Sequence, residues 1–177
     1  MAKRALIVID VQKEYFPGGA MALPDAERTL PNIAKLVERA RGRGEPVVFI
    51  QHALPAGSPV FAQGTQGMEF AQGLDVRPGD PLFQKRHPSS FQDTGLPAWI
   101  AKEGVGELDI CGYMTQMCCD TTSREGYSRG LTVRLYSDAT AARELTVDGV
   151  TVPHDMVHRV TLGAVSRFAK ILKHTEG

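Results

Sequence analysis

The sequence predicts an α/β fold in which helices cover both faces of a parallel sheet. Apolar runs of strand length alternate along the chain with segments of helical periodicity, and Gly and Pro residues separate the two kinds of segment. The first run, residues 5–9, is apolar throughout, which is typical of a strand buried on both faces. Strands that alternate with helices in this way form parallel sheets.

The elements of the first half follow from spacing and turn residues. A helix is predicted over 30–41, where apolar residues recur at helical spacing and Pro31 suits the first turn. A turn rich in Gly and Pro leads to a second strand at 47–51. Residues 52–81 are rich in Gly, Pro and Gln and lack periodicity, so they are predicted to form a long loop. Loops of that length in a compact domain are usually functional.

The second half repeats the alternation. In chain order we predict a short third strand at 81–85, a helix at 96–102, a fourth strand at 107–111, a helix at 116–128, a fifth strand at 131–136, a helix at 155–168 and a last strand at 169–172. Ligands of such sheets bind outside the carboxyl ends of the strands. The ends of strands one, three and four carry Asp10, Lys85 and residues 112–115, so we expect the chemistry there.

Composition narrows the class of protein. The 177 residues fit one domain, 1–177. Twenty acidic and twenty basic residues cancel, which predicts neither a nucleic-acid partner nor a membrane surface. The apolar run near the N-terminus is too short for a signal peptide or a membrane span, so a cytoplasmic location is expected. Three cysteines, two of them adjacent, do not make a disulfide framework.

Cys118 is a candidate nucleophile because of its place at a helix start. The segment from Gly112 to Cys119 runs from a strand through a tight turn into a helix, with Thr115 as the predicted N-cap. A helix N-terminus favours a thiolate, and its N–H groups can hold an oxyanion. The alternative, that Cys118 is a small buried hydrophobic residue, stays open on this evidence, and we expect it for Cys111. Only one of Cys118 and Cys119 can face the strand ends.

Asp10 and Lys85 are candidate partners of that cysteine. A carboxylate partly buried after a strand needs a partner, and Lys85 can supply one; the alternatives are a capping aspartate and a solvated lysine. Unperturbed Asp and Cys differ by about 4.6 pKa units, so proton transfer between them costs roughly 6 kcal/mol. A working site must lower the pKa of Cys118 or raise that of Asp10 by burial, and we expect both.

Four segments carry a resemblance to a known family. Residues 6–16 (LIVIDVQKEYF), 49–61 (FIQHALPAGSPVF), 85–96 (KRHPSSFQDTGL) and 110–142 (beginning ICGYMTQMCC) resemble the isochorismatase-like cysteine hydrolases, in order and spacing. This group includes nicotinamidases and N-carbamoylsarcosine amidohydrolases. The resemblance implies a three-layer Rossmann-like fold with a six-stranded parallel sheet, and a homodimer or higher homo-oligomer.

The resemblance also implies roles for single residues. Asp10 would be the general acid/base, Lys85 its partner and Cys118 the nucleophile of a reaction that cleaves a C–N bond of a small amide through a thioester. The backbone N–H groups of Met114 and Cys118 would form the oxyanion hole, and the Tyr113–Met114 peptide would be cis. Substrate-binding residues would be Gln12, Phe16, His52, Phe91 and Tyr113.

The sequence departs from metal-dependent relatives of this kind. Those carry Asp-x-His after the second strand, where this chain reads Gln51-His52-Ala53, so we predict no catalytic metal and no cofactor. An adjacent thiol pair, Cys118 and Cys119, supports the alternative of a non-catalytic redox sensor or binding protein on the same fold. A nucleotide-binding protein is disfavoured, because no G-x-G-x-x-G or phosphate-binding loop occurs.

Overall fold

Helices and strands alternate along the computed structural model, which describes residues 2–176. The strands are β1 (Lys3–Ile9), β2 (Val47–His52), β3 (Leu82–Lys85), β4 (Val105–Tyr113), β5 (Thr132–Ala141), β6 (Leu145–Val147), β7 (Val150–Val152) and β8 (Lys170–Leu172). The α-helices are α1 (Ala26–Gly42), α2 (Leu96–Glu103), α3 (Asp120–Ser128) and α4 (His154–Val165). None of the helices in this described part is long and apolar enough to cross a membrane.

Six strands form one parallel sheet, in the order β3-β2-β1-β4-β5-β8. β1 lies inside it, with Ile7 opposite Val48 of β2 on one side and Ile110 of β4 on the other. The predicted six-stranded parallel sheet is confirmed. Because β1 and β4 are inner strands, their carboxyl ends lie at the middle of the sheet edge where ligands bind in this architecture.

The core has two layers because successive residues of a strand face opposite sides. In β1, Leu6 and Val8 belong to one buried cluster, which includes Ile33 and Val37 of α1. Ile7 belongs to the other, which takes in apolar residues of α2 and α4. Helices therefore cover both faces, as predicted. The continuous apolar run at the start of the chain reflects burial on both sides.

Several elements differ from the sequence-based expectation, and β5 runs to Ala141 rather than ending at residue 136. α1 begins at Ala26 rather than at residue 30, so Pro31 lies inside the helix instead of in its first turn. The helix predicted over 116–128 begins as a π-helical turn, Thr115–Cys119, and becomes α-helical only from Asp120. β6 and β7 form an antiparallel hairpin that was not predicted, although Asp148-Gly149 is a strong hairpin-turn signal.

Candidate active site

The carboxyl ends of β1 and β4 meet at a close approach of their backbones. Gly112 of β4 pairs with Ile9 of β1, and a Cβ at Gly112 would lie 2.0 Å from the Ile9 carbonyl oxygen. Gly112 also has a φ of 113°, a conformation that favours glycine. Directly after Ile9, Asp10 turns the chain with a φ of 51°, which Asp tolerates better than most residues. The Asp10 side chain is thereby fully buried beside β4.

The turn that carries Cys118 follows β4 directly. The Tyr113–Met114 peptide is cis, as predicted. Residues Thr115–Cys119 form the π-helical turn, called the nucleophile turn below, and the Met114 carbonyl accepts the N–H groups of Met117 and Cys119 at 3.1 Å each. Met114 has extended backbone (φ −87°, ψ 150°) and occupies the N-cap position. The prediction of Thr115 as N-cap is therefore wrong, because the helical conformation already begins at Thr115.

Lys85, at the end of β3, brings the candidate catalytic groups together. Its Nζ lies 2.6 Å from Asp10 Oδ2, 2.9 Å from His52 Nδ1 and 3.2 Å from Cys118 Sγ. It also donates to the His87 carbonyl at 3.1 Å. An ammonium has three N–H bonds for these four neighbours, and the closest of the four contacts is the ion pair with Asp10. Asp10, Lys85 and Cys118, called the triad below, are each at most 3% exposed.

The protonation of the triad follows from burial and from the pairing. Burial alone would raise the pKa of Asp10, but its partners, the Lys85 ammonium foremost, outweigh burial and lower that pKa. Burial alone would lower the pKa of Lys85, but Asp10 and Cys118 raise it. Burial and the Asp10 carboxylate raise the pKa of Cys118 to about 12, against the lowering effect of Lys85. At neutral pH the site therefore holds a carboxylate, an ammonium and a thiol.

Both pKa shifts expected from the sequence are wrong in direction. The helix start was expected to lower the Cys118 pKa, and desolvation to raise that of Asp10. Lys85 is shared between the two groups, and it lies closer to Asp10 Oδ2 than to Cys118 Sγ. Burial is the largest cause of the raised Cys118 pKa and the Asp10 carboxylate adds to it; the nearby Lys85 ammonium does not offset them, so the buried sulfur keeps its proton.

His52, at the end of β2, completes the cluster. An ammonium can only donate, so His52 Nδ1 accepts from Lys85 and the ring proton resides on Nε2. One side-chain atom each of Asp10, His52 and Cys118 could ligate a metal, and these three atoms lie within 4.8 Å of one another. Lys85 Nζ is 3.2 Å or less from all three residues. The cation that these groups face is the Lys85 ammonium, which a metal ion would have to displace.

Gln12 lies beside the triad with its side-chain amide fully engaged. Its Nε2 donates to the carbonyls of His52 (2.9 Å) and Met68 (2.8 Å), and its Oε1 accepts the His52 N–H at 2.8 Å. The side chain is completely buried. Through these hydrogen bonds Gln12 links the end of β2 and the long loop to the segment that follows β1. This placement favours a positioning role over the substrate contact that the resemblance implied.

The other residues expected in a pocket wall lie at different depths. Tyr113 is fully buried, and its hydroxyl donates to the Ala26 carbonyl at 2.9 Å, which ties the end of β4 to α1. Phe91 is 3% exposed and packs in the same cluster as Cys118. Phe16 is partly buried and meets the Tyr113 ring edge-on at 6.0 Å. Of these three, Phe16 is the one with surface open to a ligand.

A cavity of about 380 Å³ opens on the β3 side of the triad. Its wall includes Ala53, which follows His52, and His87, which lies two residues after Lys85, together with Gln63 and Gln84. Lys85 is the member of the triad that reaches this wall.

One contact of the nucleophile turn was not anticipated. Thr115 Oγ1 lies 2.9 Å from Nδ1 of His158, which belongs to α4. The two residues are 43 positions apart in the chain. The available signal was a histidine near Val157 and Val165, the buried side chains of its helix, but that pattern does not identify its partner.

Known proteins resemble this chain over most of its length. The family model described as the isochorismatase domain matches residues 4–174. The isochorismatase family protein YddQ of Bacillus subtilis (strain 168) is 35% identical over 173 residues, which cover 97% of this chain and 96% of YddQ. Nicotinamidase 3 of Arabidopsis thaliana is 31% identical over 150 residues, covering 77% of this chain and 72% of the relative.

Solved structures share the fold closely. The crystal structure of a candidate isochorismatase from Burkholderia xenovorans LB400 has a TM-score of 0.92 and 36% sequence identity, and the match covers 99% of this chain and 86% of that one. The resemblance and the fold class predicted from the sequence are confirmed.

Proposed function

The chain belongs to the isochorismatase family, and from this premise we propose that it is a cysteine hydrolase that cleaves a C–N bond, other than a peptide bond, in a small amide-type molecule. The observation that carries the proposal is the position of Lys85 Nζ, 2.6 Å from Asp10 and 3.2 Å from Cys118. A thiol and a carboxylate that share one buried ammonium have the parts needed for acyl transfer. The relative named nicotinamidase agrees with an amide substrate.

The first step transfers a proton as the C–S bond forms. Because the Cys118 thiol is protonated at rest, Asp10 accepts its proton while the sulfur attacks the carbonyl carbon. Negative charge thereby moves from Asp10 to sulfur and on to the carbonyl oxygen. Lys85 contacts both Asp10 and Cys118, so the ammonium stays beside the charge throughout. The backbone N–H groups of Met114 and Cys118 are the donors that we assign to the oxyanion.

The following steps return the site to its starting state. Protonated Asp10 gives its proton to the departing nitrogen, and an acyl thioester remains on Cys118. Asp10 then deprotonates a water molecule that attacks the thioester carbon, and the C–S bond breaks to release the acid. The thiolate recovers a proton from Asp10. Each proton therefore passes through one carboxyl group, which alternates between base and acid.

The alternative of a thiol sensor draws no support from Cys119. This cysteine is fully buried, and burial together with the nearby Cys118 raises its pKa well above the ordinary value. Oxidation depends on thiolate character and exposure, and Cys119 has neither.

We include self-association in the proposal. The hairpin of β6 and β7 exposes Val147 (61%) and Val150 (65%), and Val160 of α4 is 63% exposed. An isolated two-stranded hairpin is marginally stable in water, so a covering surface is expected for it. A sedimentation equilibrium mass of a monomer at micromolar concentration would contradict this part.

The function is tested with a panel of small amides, ureas and lactams, assayed for release of ammonia or acid. At least one member is expected to be hydrolysed, and Cys118→Ala is expected to lower the rate by at least about 10³-fold while the thermal melt stays cooperative. Cys111→Ala, which removes another buried thiol away from the triad, is the matched control. Activity retained in Cys118→Ala would overturn the assignment, as would a panel with no hydrolysed member.

A further inference from the structure

The first residue of the nucleophile turn is held from outside the turn. Thr115 is fully buried, and its Oγ1 lies 2.9 Å from His158 Nδ1. Thr115 follows Met114, whose carbonyl collects two N–H groups of the turn, and it precedes Cys118 by three residues. A shift of Thr115 therefore moves both backbone donors assigned to the oxyanion and the sulfur itself.

The surroundings of His158 determine which of its nitrogens accepts. The Ser137 backbone favours the protonated ring of His158 and so raises its pKa, because a carbonyl oxygen can accept from a ring N–H. Burial lowers the pKa of His158, and Arg28 and His154 act in the same direction, while Ser137 and Asp25 oppose them. A neutral imidazole has one donor and one acceptor. With the ring proton on Nε2, Nδ1 accepts from the Thr115 hydroxyl at 2.9 Å.

We propose that His158 is a positioning residue that fixes the nucleophile turn by accepting the Thr115 hydroxyl proton. His158 sits on α4, the helix that leads into the edge strand β8 of the sheet, 43 residues along the chain from Thr115. The contact ties the site to an element far along the sequence. The contact supports catalysis by orienting the nucleophile turn, because a displacement of about 1 Å in a reacting group lowers the rate by up to about 10²-fold.

The test compares substitutions that remove or keep the acceptor. His158→Leu removes it, whereas His158→Asn places an oxygen near the position of Nδ1. His154→Leu is the matched control, since His154 lies on the same helix and pairs with Asp25 at 3.5 Å. With an amide that the wild type hydrolyses, His158→Leu is expected to lower kcat about tenfold with KM within about twofold, and His158→Asn to recover most of kcat.

Substitution of Thr115, the hydrogen-bond partner of His158, provides a second test. Thr115→Val removes the hydroxyl and keeps the side-chain shape, and it is expected to lower kcat as His158→Leu does. The double variant should be no slower than either single variant, because both remove the same hydrogen bond. Additive losses would overturn the proposed coupling.

Amide hydrogen exchange needs no substrate. It therefore tests this proposal separately from the proposed function, on which the kinetic test rests. Amide hydrogen exchange in residues 114–119 is expected to become about tenfold faster in His158→Leu, with exchange in the β1 segment 5–9 unchanged. Equal acceleration in both segments would indicate a general loss of stability and overturn the proposal. Kinetics of His158→Leu that match those of His154→Leu would overturn it too, as would failure of His158→Asn to recover activity.

Discussion

Lys85 Nζ lies 2.6 Å from Asp10 Oδ2, and neither side chain is exposed to solvent. Their strands, β3 and β1, are not neighbours, because β2 lies between them. Adjacent strands are about 4.8 Å apart, so Lys85 reaches across about 10 Å of sheet edge. A long side chain with a terminal charge is needed for that distance. The length of lysine is thus a requirement of the topology as well as of the chemistry.

Removing the ammonium should destabilise the protein as well as inactivate it. Lys85→Met keeps the apolar stem but leaves a buried carboxylate unpaired, which costs about 3–5 kcal/mol in the free energy of unfolding. Replacing both charges, in Lys85→Met with Asp10→Asn, should recover a large part of that loss. Urea denaturation monitored by circular dichroism measures all three variants. If the Lys85→Met protein is as stable as the wild type, Asp10 and Lys85 are not both charged in the folded protein.

Alkylation of Cys118 should report a thiol at neutral pH. Burial and Asp10 raise the Cys118 pKa to about 12, so the reactive thiolate fraction grows as pH rises and does not saturate between pH 6 and 9. The rate with iodoacetamide, followed by mass spectrometry of the peptide, should therefore climb steadily with pH. Asp10→Asn removes a cause of the raised pKa and should react faster at pH 7.5. A wild-type rate that levels off below pH 7 would contradict this protonation state.

Local sequence patterns were sufficient for the strands that carry the triad. A run of apolar residues ending at Asp10 needs a strand buried on both faces, and the next polar group must then lie at the sheet edge. The same reasoning located Lys85 and the segment after Gly112. These predictions succeeded because a short segment is enough to show where a buried strand ends, and therefore which residue lies at the carboxyl edge of the sheet.

Local sequence patterns do not predict contacts between elements that are distant in the chain. The direction of the Cys118 pKa shift depends on how deeply the sulfur is buried and on its distances from Asp10 and Lys85, which are set by the packing of distant segments. The contact of Thr115 with His158 likewise joins elements that share no local pattern. The helical periodicity of 116–128 also did not reveal the π-helical geometry of the nucleophile turn.

Loss of the Gln12 amide should loosen the long loop over the triad. Gln12→Met leaves the His52 N–H and carbonyl without their side-chain partner, so the free energy of unfolding should fall by about 2–3 kcal/mol. Because Gln12 also binds the Met68 carbonyl, proteolysis within residues 52–81 should be faster. Gln84→Met, which loses one exposed bond to Gln51, is the control and should change little. Equal cleavage in both variants would contradict the role given to Gln12.

Gly112→Ala should be among the most damaging single substitutions in the chain. The added Cβ would lie 2.0 Å from the Ile9 carbonyl oxygen and 2.7 Å from its nitrogen, both backbone atoms of the central strand that cannot move aside. Relieving the clash means separating β1 from β4 where Asp10 and the nucleophile turn begin. We expect a loss of about 4 kcal/mol or more in the free energy of unfolding, or failure to accumulate as soluble protein.

Gly130→Ala is the control for backbone conformation without a clash. Gly130 has a φ of 83°, and no atom lies within 4 Å of the added Cβ, so this substitution should cost about 1 kcal/mol. Soluble yield and urea denaturation of the two variants, made side by side, check the difference. Equal stability in the pair would mean that the close approach of the two strands does not constrain position 112.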